Sequence, residues 1–114
     1  VVVEPSYAPA LHGCIIAGDF IAATGPDSVM GRLDCKEASL IALKGLAHDA
    51  DVFALISEAE GQAGADYAAA YRMESTASGA AGLAGLLASQ AHRVALKLDS
   101  NSHVMLIMSE GPEE

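Results

Sequence analysis

Three strand-like runs in this chain end on side chains that could do chemistry. "VVV" ends on Glu4, "VFALI" on Ser57 and Glu58, and "VMLIM" on Ser109 and Glu110. A hydroxyl or carboxylate in such a place can orient a ligand or hold a proton. In open α/β sheets the ligand crevice lies outside the carboxyl ends of the strands, so these three ends could converge on one site. The stretch "STASGAAGLAGLL", residues 75–87, adds Ser75, Ser78, Gly79, Gly82 and Gly85. A glycine inside a helix costs about 1 kcal/mol relative to alanine, so something must approach this segment closely. One reading is tight packing against a helix or the sheet. The other is a bound anion or planar cofactor, held by backbone N–H groups and serine hydroxyls at a helix start.

Other reactive residues form no constellation by spacing. His12, His48, His92 and His103 fall on different elements with no shared acid, and Asp27 and Asp34 lie in an irregular segment where solvated carboxylates are the ordinary case. No nucleophile, base and orienting acid can be assembled from spacing. Cys14 and Cys35 make no CxxC pair, and His12 with Cys14 lacks a second ligand pair, so no metal is expected. Free thiols fit a reduced cytoplasm.

The elements that must position these residues alternate between strand and helix. "VVVEP" is a β-branched run stopped by Pro5; "SYAPALHGCIIAG" carries Tyr7, Leu11, Cys14 and Ile15 at helical spacing up to Gly18. "DFIAATG" reads as a second extended segment and "SLIALKGLAHDA" as a helix with Ser39 as its N-cap. "DVFALIS" is a continuous apolar strand, and "EAEGQAGADYAAAY" a helix whose first acids suit the positive end of its dipole. "SGAAGLAGLLASQ" reads as a helix capped by Ser75 or Ser78, "HRVALKLD" as a short helix and "HVMLIMSEG" as the last strand. Apolar strands separated by helices predict a parallel sheet covered on both faces, the α/β class.

With 114 residues the chain holds at most one domain. Its 15 acidic residues outnumber 6 basic ones, for a net charge of −9. The basic residues Arg32, Lys36, Lys44, Arg72, Arg93 and Lys97 are scattered, which argues against nucleic acid as a partner. No apolar stretch reaches the roughly 20 residues a bilayer demands, and no basic region precedes an apolar one at the N-terminus. No membrane partner is expected, and a cytoplasmic location is. The chain opens without methionine on one interior-type strand and closes just after another, so it reads as a piece of a larger domain.

"VVVEPSYAPAL", "DSVMGRLDC", "SGAAGLAGLL" and "HVMLIMSEG", in that order and spacing, resemble the C-terminal part of the fold-type II enzymes that use pyridoxal 5'-phosphate (PLP). The likeness is closest to the diaminopropionate ammonia-lyases, with threonine dehydratases and threonine synthases as relatives. It implies a three-layer parallel-sheet piece, residues 1–114, of the tryptophan synthase beta-like fold. It also implies that Ser109 contacts the cofactor's pyridine nitrogen; Glu4 at its strand end and Ser78 and Gly79 at the glycine-rich helix start are the further candidate cofactor-binding residues. Lys36, Lys44 and Lys97 do not match the family's cofactor-attaching lysine, and no phosphate-cradling glycine loop is present, so the segment alone is expected to be inactive. The sequence departs from the lyases at Ala77, where they favour Glu, and at Arg32, Lys36 and Ala38, where they favour Gly, Gly and Pro. Three functions stay open: an ammonia-lyase acting on 2,3-diaminopropionate, a threonine or serine dehydratase-like lyase, and a non-catalytic acidic α/β binding module. Either lyase implies a small amino-acid substrate and a homo-oligomer, or association with the missing N-terminal part.

Overall fold

In the computed structural model, which describes residues 1–112, six elements follow one another along the chain. They are β1 (Val2–Pro5), α1 (Ala10–Ala17), α2 (Leu40–Asp49), β2 (Phe53–Ile56), α3 (Glu58–Ala70) and α4 (Ala81–Ala88), with short 3₁₀ turns at Gly31–Leu33 and Ser89–His92. β1 and β2 pair in parallel, Val2 opposite Phe53 and Pro5 opposite Ile56. Parallel neighbours need a long crossover, and here it carries α1 and α2. The chain is an α/β domain with a small two-stranded parallel sheet and four helices.

Local chemistry explains where the helices begin and end. Gly18 closes α1 in the left-handed region, φ 65°, and donates its N–H to the Cys14 carbonyl. The Ser39 hydroxyl accepts from Ala42 N at 3.3 Å and starts α2. At the head of α3, Ser57 Oγ accepts from Glu60 N at 3.1 Å while Glu60 Oε2 accepts from Ser57 N at 2.7 Å, a reciprocal capping box.

Packing relies on closeness more than on size. Eight of the twelve buried apolar residues are alanine, and each contributes far less than the roughly 1.5–3 kcal/mol of a buried Val, Leu or Phe. In exchange, backbones can approach. A Cβ placed on Gly64 of α3 would lie 2.5 Å from Ala84 Cβ of α4, one on Gly61 would lie 2.7 Å from Met30 Sδ, and one on Gly85 would lie 2.6 Å from a Val3 methyl. The core joins Met30, Ile56, Ala77, Ala81 and Ala84, with Val3 and Leu33 packed on it.

The surface is large for the mass. It measures 7574 Å², against roughly 5,800 Å² for an average folded monomer of this size. Ile16, Ile41, Val94, Met105 and Ile107 are each at least 75% exposed.

Four expectations are corrected. "HVMLIMS" is not a strand: residues 103–108 join no ladder, because among the described residues no strand edge runs beside them, and only Leu106 and Met108 are half-buried. "DFIAATG" joins no sheet either; its backbone–backbone hydrogen bonds are Asp19 N donating to Cys14 O at 3.3 Å and Ala23 N donating to Lys36 O at 2.7 Å. "HRVALKLD" forms successive turns, with Lys97 left-handed at φ 56° interrupting a regular helix. Neither Ser75 nor Ser78 caps α4, whose N-cap is Ala80, because both hydroxyls are bonded elsewhere.

Gly64→Ala is expected to destabilise the domain by about 1–3 kcal/mol through overpacking against α4. Gly45→Ala, in α2 with open space around its Cβ position, is expected to stabilise it by about 0.5–1 kcal/mol. Urea unfolding of the two variants checks the opposite signs.

Candidate functional site

Each polar residue at a strand end meets a different demand. The Glu4 carboxylate, just past the middle of β1, accepts from Leu11 N at 2.8 Å and His12 N at 2.7 Å. It thereby satisfies two of the four amide donors that a helix start leaves without intrahelical partners. Ser57 is spent on the α3 capping box. Glu58 accepts from Ser28 Oγ at 2.8 Å and Val29 N at 2.5 Å, which fixes the loop that delivers the fully buried Met30 to the core.

Ser109 and Glu110 are placed differently. Ser109 N donates to Gly79 O at 3.2 Å, and Ser75 Oγ donates to Ser109 O at 2.6 Å. Thr76 Oγ1 accepts from Gly79 N at 3.0 Å and donates to Glu110 Oε2. The turn at 75–79 therefore grips residues 109–110 on both backbone and side chain. Gly79 permits this grip, since a Cβ there would collide with the Ser109 carbonyl and the Ser75 hydroxyl. Among the described residues the Ser109 hydroxyl makes no hydrogen bond, and the residue is exposed.

Beside this grip lies a cleft of about 590 Å³, within the size range of small-molecule sites. Arg32, Gly31 and Val29 form one wall, and Thr76, Ser78 and Glu110 the other, with Gly111 and Pro112 at its edge. The walls are joined by Arg32 N donating to Ser78 Oγ at 3.1 Å. Arg32 Nε stands 3.9 Å from Glu110 Oε1, and its side chain is 84% exposed against 27% for Glu110. Glu110 holds a left-handed backbone, φ 63°, which costs a residue with a Cβ on the order of 1 kcal/mol.

A lysine strut holds the loop that carries Arg32. Lys36 Nζ donates to Tyr7 O at 2.8 Å, Pro26 O at 2.9 Å and Asp34 Oδ1 at 2.6 Å. The Lys36 hydrogen bond, with a second from Ser28 N, holds the Asp34 carboxyl below its ordinary pKa.

Of the sequence-derived site residues, the fold brings Ser78, Gly79 and Ser109 together, with Ser78 in the cleft lining and Gly79 and Ser109 beside it, and leaves Glu4 at the head of α1. Arg32 and Thr76 are cleft residues that sequence reasoning missed. The Arg32–Ser78 contact spans 46 residues, and no local signal encodes it. Among the described residues no group of three or more His, Cys, Asp or Glu gathers as a metal site, and no helix is long and apolar enough to cross a membrane. The chain matches no protein-family model and no curated protein.

Two outcomes test this geometry. Gly79→Ala should release residues 109–110 while the helices persist, seen as lost amide protection at Ser109 with an unchanged far-ultraviolet spectrum. Because the Asp34 pKa is lowered on folding, its contribution is fully present above the ordinary value of 3.8 and falls away as pH drops below it. The stability gap between wild type and Asp34→Asn in urea should therefore be open at neutral pH and close below that value.

Proposed function

We propose that this chain is part of the cofactor-binding domain of a fold-type II PLP lyase. Its proposed reaction removes the β-amino group of 2,3-diaminopropionate to give pyruvate and ammonia. On this reading the segment belongs to a three-layer parallel-sheet domain of the tryptophan synthase beta-like fold, and residues 103–108 gain their sheet partner from the rest of that domain. The apolar side chains exposed on this segment, Ile107 and Met105 among them, would be covered there or by a second copy.

The observation that carries the reading is the Ser109 hydroxyl. It is exposed, without a partner among the described residues, and held in place by the Gly79 and Ser75 contacts to its own backbone. A ring nitrogen is a suitable partner for such a group. When bound, PLP supplies the electron sink that makes the α-proton acidic.

The chain's own residues contribute positioning and electronic tuning. Ser109 offers a hydroxyl, which can donate or accept and carries no charge, so it does not hold a ring nitrogen protonated as a carboxylate would. That weaker pull suits elimination over transamination. Gly79 keeps the turn close enough to hold Ser109, and Ser78 fixes the loop at Arg32. None of the three lysines suits cofactor attachment: Lys36 is bonded to three oxygens, while Lys44 on α2 and Lys97 in the 93–97 turn do not match the family's lysine motif. The attaching lysine and the phosphate cradle belong to the remainder of the longer enzyme.

The test adds PLP to the longest natural form of the protein, follows cofactor absorption, and assays ammonia release from diaminopropionate, serine and threonine. Uptake of PLP with ammonia release from diaminopropionate is expected; no uptake would end the reading. Ser109→Ala should change folding stability by less than about 1 kcal/mol, since no hydrogen bond among the described residues is lost, yet slow pyruvate formation. Ser109→Asp, an anion beside the ring nitrogen, should shift turnover toward transamination. Identical product profiles in all three forms, each with PLP bound, would reduce Ser109 to a chain-positioning residue.

A further inference from the structure

Three residues with side chains hold a left-handed backbone: Arg72 at φ 60°, Lys97 at φ 56° and Glu110 at φ 63°. The first two finish helical turns. Met73 N donates to Ala68 O around Arg72, and Leu98 N donates to Arg93 O around Lys97, the closure that ordinarily places a left-handed residue at a helix end. Glu110 follows residues 103–108, which belong to no helix or ladder, so no such closure accounts for it. Glycine would take this conformation without the penalty of a Cβ, and the glycine of this stretch, Gly111, stands one residue later.

The side chain supplies what the backbone gives up. Glu110 Oε2 accepts from the Thr76 hydroxyl, a charge-assisted bond of the stronger kind. Oε1 pairs with Arg32 Nε at 3.9 Å; that pair is open to solvent on the Arg32 side and contributes little. Thr76 Oγ1 in turn accepts from Gly79 N at 3.0 Å, and Gly79 O accepts from Ser109 N at 3.2 Å. A closed ring therefore runs from Ser109 through Gly79 and Thr76 to Glu110, which is covalently joined to Ser109. We propose that Glu110 is a positioning residue, a latch that closes this ring through Thr76 and so holds the Ser109 hydroxyl in one direction. Its consequence for turnover rests on the lyase reading, and its consequence for the chain does not.

Glu110→Gly separates backbone from side chain, because it removes the conformational penalty and the carboxylate together. In the longest natural form without PLP, amide exchange at Ser109 should become about tenfold faster in Glu110→Gly, as one charge-assisted hydrogen bond is lost, although the unfolding midpoint does not fall. Thr76→Val should do the same. Glu110→Gln keeps an acceptor and Thr76→Ser keeps a hydroxyl, so both should restore the wild-type rate. With PLP bound, Glu110→Gly should lower kcat for diaminopropionate and leave KM unaltered, since the effect passes through the cofactor's partner. The double variant of Ser109→Ala with Glu110→Gly should be no slower than Ser109→Ala alone, because the latch then has no hydroxyl to hold. Ser109 exchange unchanged or slower in Glu110→Gly would overturn the proposal, and so would a double variant slowed by both losses multiplied. No PLP uptake by wild type would end the lyase reading and leave the exchange rates to decide the latch: faster exchange in Glu110→Gly and Thr76→Val upholds it.

Discussion

The close approach of α3 to α4 is the constraint on which the rest of the molecule depends. Gly64 leaves no room for a Cβ against Ala84, and the next residue of α4, Gly85, leaves none against Val3 of β1. The two helices thus meet almost backbone to backbone, and α4 lies directly on a Val3 methyl of the strand. Contact at that distance gains dispersion energy from many atoms at once, which compensates for a core with few large side chains. It also makes the arrangement intolerant of added volume. A core of alanine and glycine buries little area per residue, consistent with the large surface the chain exposes.

That packing sets the site. With α4 fixed against α3 and β1, its preceding turn at 75–79 has one place to go, and Gly79 allows residues 109–110 to lie directly on it. A segment without a sheet partner is thereby held by side-chain hydroxyls and a single backbone bond to Gly79. The polar residues at the other strand ends are used differently. Glu4 serves α1, and Glu58 serves the loop that delivers Met30. Both carboxylates have their oxygens committed to neighbouring N–H or O–H groups, whereas the Ser109 hydroxyl has no partner among the described residues.

What was legible in the sequence follows from how local each signal is. Gly18, Ser39 and the Ser57–Glu60 pair act within four residues, and the helices begin or end where these residues place them. β1 and β2 were legible because continuous apolar runs found each other. The run at 103–108 carried the same composition but is no strand, since a strand exists only with a partner edge, and composition does not say where that edge is. The glycines at 79, 82 and 85 announced a close approach; for Gly85 the neighbour is Val3 of the sheet, and for Gly79 it is the Ser109 backbone. Arg32 looked like one scattered cation among six. Only the fold brings it to Ser78 and Glu110.

The segment between α1 and α2 has little regular structure, and its order rests on a few polar contacts that also determine the cleft. Lys36 ties Tyr7, Pro26 and Asp34 together, and Glu58 anchors Ser28 and Val29 from the other side. Arg32 lies between these two anchors, on the 3₁₀ turn that follows the buried Met30. Its backbone is thus restrained from three directions while its side chain is left 84% exposed. In a chain with a net charge of −9, an exposed guanidinium is drawn to the many surrounding carboxylates, and a mobile one would spend its time on whichever was nearest. Restraining the backbone places the guanidinium beside the carboxylate it pairs with, Glu110, itself held by Thr76. The two charges therefore meet as an exposed ion pair, Arg32 Nε 3.9 Å from Glu110 Oε1, at a place chosen by the loop anchors and by the turn at 75–79.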